Sequence, residues 1–178
     1  MKLIKIFILL SFMSNAILTF SLDLPKPETF EIKKINDLKI LYVHHHKEQG
    51  HISNSLVKLV QYYLLNDDNT FKVVFPQFSV ERLDINGSFY AIEYKGDPAG
   101  NDQVKKYNLK GGLFASYIYK GSYTKIKPVI KKVIQKIIKT GKYFPDKKNE
   151  IRLLYWNSID DNYPSELITE IQIRIKMK

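Results

Sequence analysis

The chain has 178 residues, 44% of them hydrophobic, with no cysteine and a formal net charge of +10. That length allows one domain with an ordinary core, and the missing cysteines exclude disulfides and thiolate chemistry, leaving His and carboxylates as the strong metal ligands. The positive balance favours acidic partners such as nucleic acid, anionic lipid or cell-wall polymers, and it equally fits a genome rich in Lys, Ile and Asn codons.

Residues 1–21 read as a secretory signal peptide. Lys2 and Lys5 form the charged start, residues 6–13 an apolar core, and Ser14-Asn15-Ala16 or Thr19-Phe20-Ser21 a small-residue cleavage site. The apolar run is too short and interrupted to span a bilayer stably, and no cysteine lies near it to carry a lipid anchor; an uncleaved membrane tether is the alternative reading. A periplasmic or secreted protein is expected, and cleavage would remove Lys2 and Lys5 and lower the charge to +8. Residues 22–29, with Pro25 and Pro27, are expected as an extended leader before a domain spanning 30–178.

The domain opens on residues 30–46, a long strand or a strand pair broken at Asn36-Asp37. Ser53 or Ser55 is expected to cap a helix carrying Leu56, Leu59, Val60, Tyr63 and Leu64 at helical spacing, which Asn66-Asp67-Asp68-Asn69 stops. Residues 71–83 and 88–95 follow as strands around an Asn86-Gly87 turn, and residues 96–101 make a loop. Residues 109–120 read as a strand with Gly111-Gly112 as a bulge or turn.

Ile126, Val129, Ile130, Val133, Ile134, Ile137 and Ile138 then form an i, i+3, i+4, i+7 ladder, an amphipathic helix with Pro128 in its first turns and Gly141 at its end. Two strands close the chain, 151–156 and 169–175, with turn residues between Ser158 and Pro164. In the last strand Thr169, Ile171, Ile173 and Ile175 alternate with Glu170, Gln172 and Arg174, the pattern of a sheet with one buried face.

Strand-helix-strand-strand thus occurs twice, about 75 residues apart, far beyond a solenoid period. The expected fold class is α+β: duplicated β-α-β-β units, an antiparallel sheet with two helices packed on one side, and a cleft between the halves.

Two stretches resemble a known family. Tyr155-Trp156-Asn157, then Pro164-Ser165-Glu166-Leu167, then Thr169-Glu170-Ile171 in an alternating strand resembles the C-terminus of the GyrI-like effector-binding domain. Tyr119-Lys120-Gly121-Ser122-Tyr123 is similar to that family's aromatic-x-Gly-x-Tyr lead into its second helix. The resemblance implies the duplicated layout, with a small molecule bound in the cleft between halves, and hydrolytic activity in some members. Where the family usually carries a Glu two residues before the strand tyrosine, this chain has Leu153. That carboxylate is the one tied to cation recognition and to hydrolysis. Glu150 cannot take its place, because an odd offset puts it on the opposite face.

Ligand pockets are mostly apolar and aromatic with a few placed polar groups. The candidate binding set is Tyr42, Phe78, Tyr117, Tyr155 and Trp156, with Glu93 and Glu170 as anchors for an aromatic or cationic organic ligand. The competing reading is that such aromatics simply fill a core. Hydrolysis would need Glu170 or Glu93 as general acid or base beside Tyr155.

His44-His45-His46 reads as a solvated strand end rather than a metal site, since no helical His spacing or Cys partner supports it. No Gly-rich phosphate loop, dinucleotide fingerprint or G-x-S-x-G elbow is present, so no cofactor is expected. Nucleic acid is not expected as a partner, since no RNA-binding aromatic signature stands out and export would separate the chain from DNA. A second expectation is contact with an anionic envelope surface through Lys125, Lys127, Lys131, Lys132, Lys136 and Lys139, which lie away from the isoleucine stripe.

Overall fold

A computed structural model describes residues 24–45, 52–65, 71–82, 87–146, 150–157 and 162–178. The break at Asn36-Asp37 separates β1 (Phe30–Ile35) from β2 (Leu38–His45). Then come α1 (Ile52–Leu65), β3 (Phe71–Arg82), β4 (Gly87–Gly96), β5 (Lys105–Leu109) and β6 (Gly112–Lys120). The second half continues with α2 (Ile126–Lys139), β7 (Tyr143–Pro145), β8 (Ile151–Tyr155) and β9 (Ile168–Met177). The expected signal peptide, the expected stop at 66–69, most of the Asn86-Gly87 turn and positions 158–161 lie outside the described residues.

Every strand pairing is antiparallel, in the order β1-β6-β9-β8-β3-β4-β2-β5, with β7 added beside β9. The duplication is visible in that order. One unit is β2-α1-β3-β4 and the other β6-α2-β8-β9, each with its last strand in the middle, and they meet where β3 pairs β8. Both helices have 14 residues. The α+β class, the duplicated units and the one-sided helices stand as expected from the pattern.

The corner where β1 meets β2 makes the sheet curl. Phe30 pairs Tyr117 and Ile35 pairs Gly112 on one side of the break; Leu38 pairs Leu109 and Tyr42 pairs Lys105 on the other, in unchanged register. Yet β1 and β2 stand six strands apart in the sheet, roughly 29 Å if it were flat. A two-residue link spans only about 11 Å. The sheet therefore curls until its two ends meet along this ribbon. A Cβ on Gly111 would sit 2.2 Å from the Ile35 carbonyl oxygen and 2.5 Å from the Asn36 carbonyl carbon, so the crossing admits only glycine there.

Beneath the crossing lies a buried charge cluster. Glu150 accepts from Arg152 Nε at 2.7 Å and from Arg174 Nε at 3.1 Å, and both guanidiniums lie over the Phe114 ring, 4.4 and 4.8 Å from its centre. Arg152 Nη2 donates to the Lys110 carbonyl at 2.7 Å and Arg174 Nη1 to that of Gly111 at 2.8 Å. Burial penalises the Arg152 guanidinium most; Glu150 offsets part of that penalty. One carboxylate and two guanidiniums thus fasten β8 and β9 to the ribbon.

On the helix side, Ile126, Ile130, Val133 and Ile137 of α2 pack against Ala115, Tyr117, Leu153, Ile171, Ile173 and Ile175. Fully burying each aliphatic side chain contributes about 1.5–3 kcal/mol. Leu59 and Tyr62 of α1 pack on Leu41, Val43, Tyr90, Ile92 and Tyr94. The other face of the first half is filled by Ile40, Phe78, Val80, Phe89, Ala91 and Leu109.

Three expectations need correction. The strand β9 has both faces buried rather than one: Glu170 is 3% exposed, and Gln172 is buried with it, because β9 lies inside the curled sheet between β6 and β8. Ser55 is not at the start of α1, which begins at Ile52, but is buried on the stripe it shares with Leu59 and Tyr62. The interruption at Gly111-Gly112 separates two full strands, β5 and β6, rather than bending one.

Candidate functional site

The helix α1 packs chiefly on β2 and β4, and α2 on β6 and β7. The helix-side surface of the two central strands, β3 and β8, therefore forms a seam between them. Register puts Ser79 opposite Leu153 and Gln77 opposite Tyr155. On the far side of β8, Leu153 pairs Ile171 and Tyr155 pairs Thr169. The seam floor thus includes Gln77, Ser79, Leu153, Tyr155 and Thr169, and the same register continues to Glu81 opposite Ile151.

Tyr155 joins the halves. Its ring packs against both helix-side cores, and its hydroxyl lies 2.9 Å from Ser79 Oγ on β3. Tyr123 meets it edge to face, with centroids 5.2 Å apart. Leu153 is 5% exposed and sits within the α2 core, so the floor there is aliphatic. Thr169 is fully buried, and its Oγ1 has no hydrogen-bond partner among the described residues.

The two stretches that carried the family resemblance meet at the top of this seam, and several of their residues tie it together. Asn157 accepts from Ile168 N at 2.7 Å and donates through Nδ2 to the Glu166 carbonyl at 3.0 Å, tying the end of β8 to the start of β9. Tyr123 donates to the Asn157 carbonyl at 3.2 Å, and Gly121 N to the Leu167 carbonyl at 2.8 Å. Gly121 has φ +146°, and a Cβ there would lie 2.4 Å from the Tyr119 hydroxyl, so the aromatic-x-Gly spacing answers a steric need. Ser122 caps the single 3-10 turn Tyr123–Lys125 that leads into α2.

The candidate residues from sequence divide between the two faces of the sheet. Tyr155 is on the seam, and Trp156 follows it, its backbone N–H donating to the Ile168 carbonyl at 3.0 Å. Tyr117 is on the helix side but two strands away from the seam. Its hydroxyl donates to Glu28, Lys136 Nζ lies 4.5 Å from its ring centre, and burial and the Glu28 contact push its pKa up to about 12.

Tyr42, Phe78, Glu93 and Glu170 occupy the opposite face. Phe78 is core, and Tyr42 packs on Phe89 and Tyr107 with centroids 5.2 and 6.2 Å apart. Glu93 alternates with the buried Ala91 and so shares its side. Glu170 Oε1 accepts from Lys33 Nζ at 2.6 Å, Ser116 Oγ at 2.7 Å and Gln172 Nε2 at 2.8 Å. Burial pushes this carboxyl up, but the bonds from Lys33, Gln172 and Ser116 outweigh it and hold the pKa below its ordinary value. Neither glutamate is on the side where the Tyr155 hydroxyl bonds Ser79.

The residues that sequence reasoning missed at the seam are Gln77 and Ser79. In β3 they alternate with Phe78 and Val80 and so read as a solvent face. The only hint was that serine is small enough to lie under a neighbouring tyrosine. Among the described residues there is no group of three or more His, Asp or Glu able to hold a metal, and His44 is exposed.

Comparison with known proteins agrees with this architecture. The sequence model of the GyrI-like small molecule binding domain matches residues 29–176, and the chain belongs to that family. No curated protein sequence matches it. Among solved structures it is similar to the EcmrR C-terminal domain, with TM-score 0.67 and 14% identity, covering 84% of this chain and 98% of that one. A hydrolase from Listeria innocua matches with TM-score 0.64 and 11% identity, over 85% and 94% of the two chains. SAV2435, solved bound to tetraphenylphosphonium, matches with TM-score 0.53 and 17% identity, over 83% and 94%. At these identities the likeness is one of fold. As a member of this family, the chain is a small-molecule-binding domain.

Proposed function

We propose that this is an exported small-molecule-binding domain whose ligand sits on the seam between the two halves, flanked by α1 and α2 and resting on Tyr155. The carrying observation is that Tyr155 packs in both helix-side cores while its hydroxyl reaches Ser79 of the other half. A ligand there touches both modules at once. Aromatic walls from Tyr123 and Tyr155 suit a flat, largely apolar molecule, with seam hydroxyls to orient it.

The ligand class follows from Leu153. An organic cation bound in a partly buried site gains most from a nearby carboxylate, and at position 153 this chain has leucine instead. SAV2435 binds a lipophilic cation; for this chain the reading is a neutral aromatic ligand. Calorimetric titration with indole and with tetraphenylphosphonium tests it. Indole should bind the wild type more tightly, Tyr155→Ala should weaken it at least tenfold, and Leu153→Glu should raise affinity for the phosphonium. Stronger phosphonium than indole binding in the wild type would reject the ligand class, and unchanged indole binding in Tyr155→Ala would reject the location.

Export rests on the composition of residues 1–21. Intact mass of the protein recovered from its native host should show loss of that segment; retention of the whole segment would reject cleavage.

A further inference from the structure

Lys33, Lys106, Lys110 and Lys176 each pair with a carboxylate, Lys176 Nζ lying 3.0 Å from Asp146, while strand lysines such as Lys34, Lys39 and Lys105 make no ion pair among the described residues. On α2 the sequence IKPVIKKVIQKIIK has no acidic residue, and among the described residues none of its lysines makes an ion pair. Lys127, Lys131, Lys132, Lys136 and Lys139 are all exposed, and Lys136 also lies over the rings of Tyr117 and Phe30 at 4.5 and 5.9 Å.

At the C-terminal end of α2 this charge surrounds exposed apolar side chains. Ile138 is 57% exposed although its neighbour Ile137 is fully buried, and Met177 is 69% exposed. Lys178 N donates to the Lys142 carbonyl at 3.0 Å and Met177 pairs Tyr143, so the tail of β9 lies against the turn that leaves α2. Lys139, Lys142 and Lys178 therefore cluster at this end of the molecule with two protruding apolar groups near them.

We propose that this end of α2 docks on an anionic lipid surface, with the lysines at the headgroups and Ile138 and Met177 dipping below them. Charge complementarity selects the partner's sign: an acid-free helix face leaves several cations with no internal counter-ion. The apolar tips select a bilayer over a soluble polyanion, which would offer them nothing. Each lysine near an anionic membrane strengthens binding by about fivefold, falling off within a Debye length of about 8 Å at physiological salt.

The chain contains no cysteine, so a single Ile138→Cys can carry an environment-sensitive fluorophore as a unique label in the full chain. An Asn108→Cys label on β5 serves as the control, since Asn108 is exposed and α2 packs chiefly on β6 and β7 rather than on β5. With vesicles containing phosphatidylglycerol, the label at 138 should move to a blue-shifted emission, and with pure phosphatidylcholine it should not. High salt should reverse the shift. Combining Lys131→Gln, Lys132→Gln and Lys139→Gln should raise the half-maximal lipid concentration roughly a hundredfold, with melting nearly unchanged. Aqueous emission from 138 on anionic vesicles would overturn the proposal, as would equal shifts at 138 and 108. So would an equal shift with soluble polyphosphate, which would point to a polyanion site.

Discussion

Tyr155 and Ser79, 76 residues apart in the chain, share a hydroxyl-to-hydroxyl hydrogen bond of 2.9 Å across the seam where the two modules meet. Backbone pairing of β3 with β8 already joins the halves, but this is a side-chain contact on the proposed ligand surface. Tyr155→Phe leaves the buried Ser79 hydroxyl without that partner and should cost about 1 kcal/mol. In a double-mutant cycle with Ser79→Ala, read by urea unfolding, a coupling of about 0.5–1.5 kcal/mol is expected. Purely additive losses would mean the bond contributes nothing.

The ribbon crossing gives a sharper steric prediction. In Gly111→Ala the new methyl meets backbone atoms of Ile35 and Asn36 that cannot move without separating β1 from β6. A loss of about 3 kcal/mol or more is expected. Gly141→Ala is the matched control: φ is +69°, but nothing lies within 4 Å, so only the left-handed backbone cost of about 1 kcal/mol applies. Equal melting temperatures for the two variants would show that the crossing is looser than described.

Acid stability should depend on Glu170. Its folded-state pKa is depressed below the ordinary 4.5, through hydrogen bonds from Lys33, Gln172 and Ser116 that outweigh its burial. A depressed carboxylate stabilises the fold above the unfolded pKa, and this contribution disappears as pH falls through the folded value. Melting temperature should therefore drop as pH is lowered below about 4.5, and Glu170→Gln should flatten that slope. An identical slope in the variant would assign acid unfolding to other carboxylates.

Much of the architecture was legible because its determinants are periodic. The isoleucine ladder of α2, the alternation in β9 and the breaks at Asn36-Asp37 and Gly111-Gly112 all mark elements that exist. The strand β5 was not legible: four of its five residues are exposed, so Lys105 to Asn108 show no apolar alternation, and its register comes from backbone bonds to β2. Glu170 looked like a surface residue or a ligand anchor because its strand alternates; only the curl of the sheet reveals that both faces are covered. At the seam, Tyr155 was readable from its motif. Ser79 was not, because its polar neighbours imitate a solvent face and its partner lies in the other repeat.

The central claim is that ligand occupies the helix-side seam and not the opposite face, where Tyr42, Glu93 and Tyr107 form the alternative aromatic set. Backbone amide chemical shifts of the 15N-labelled protein, followed during titration with indole, separate the two. Saturable shifts are expected at Gln77, Ser79, Leu153, Tyr155 and Thr169, with little change at Ile40, Tyr42, Glu93 and Tyr107. Shifts confined to the second group, or none at either, would contradict it.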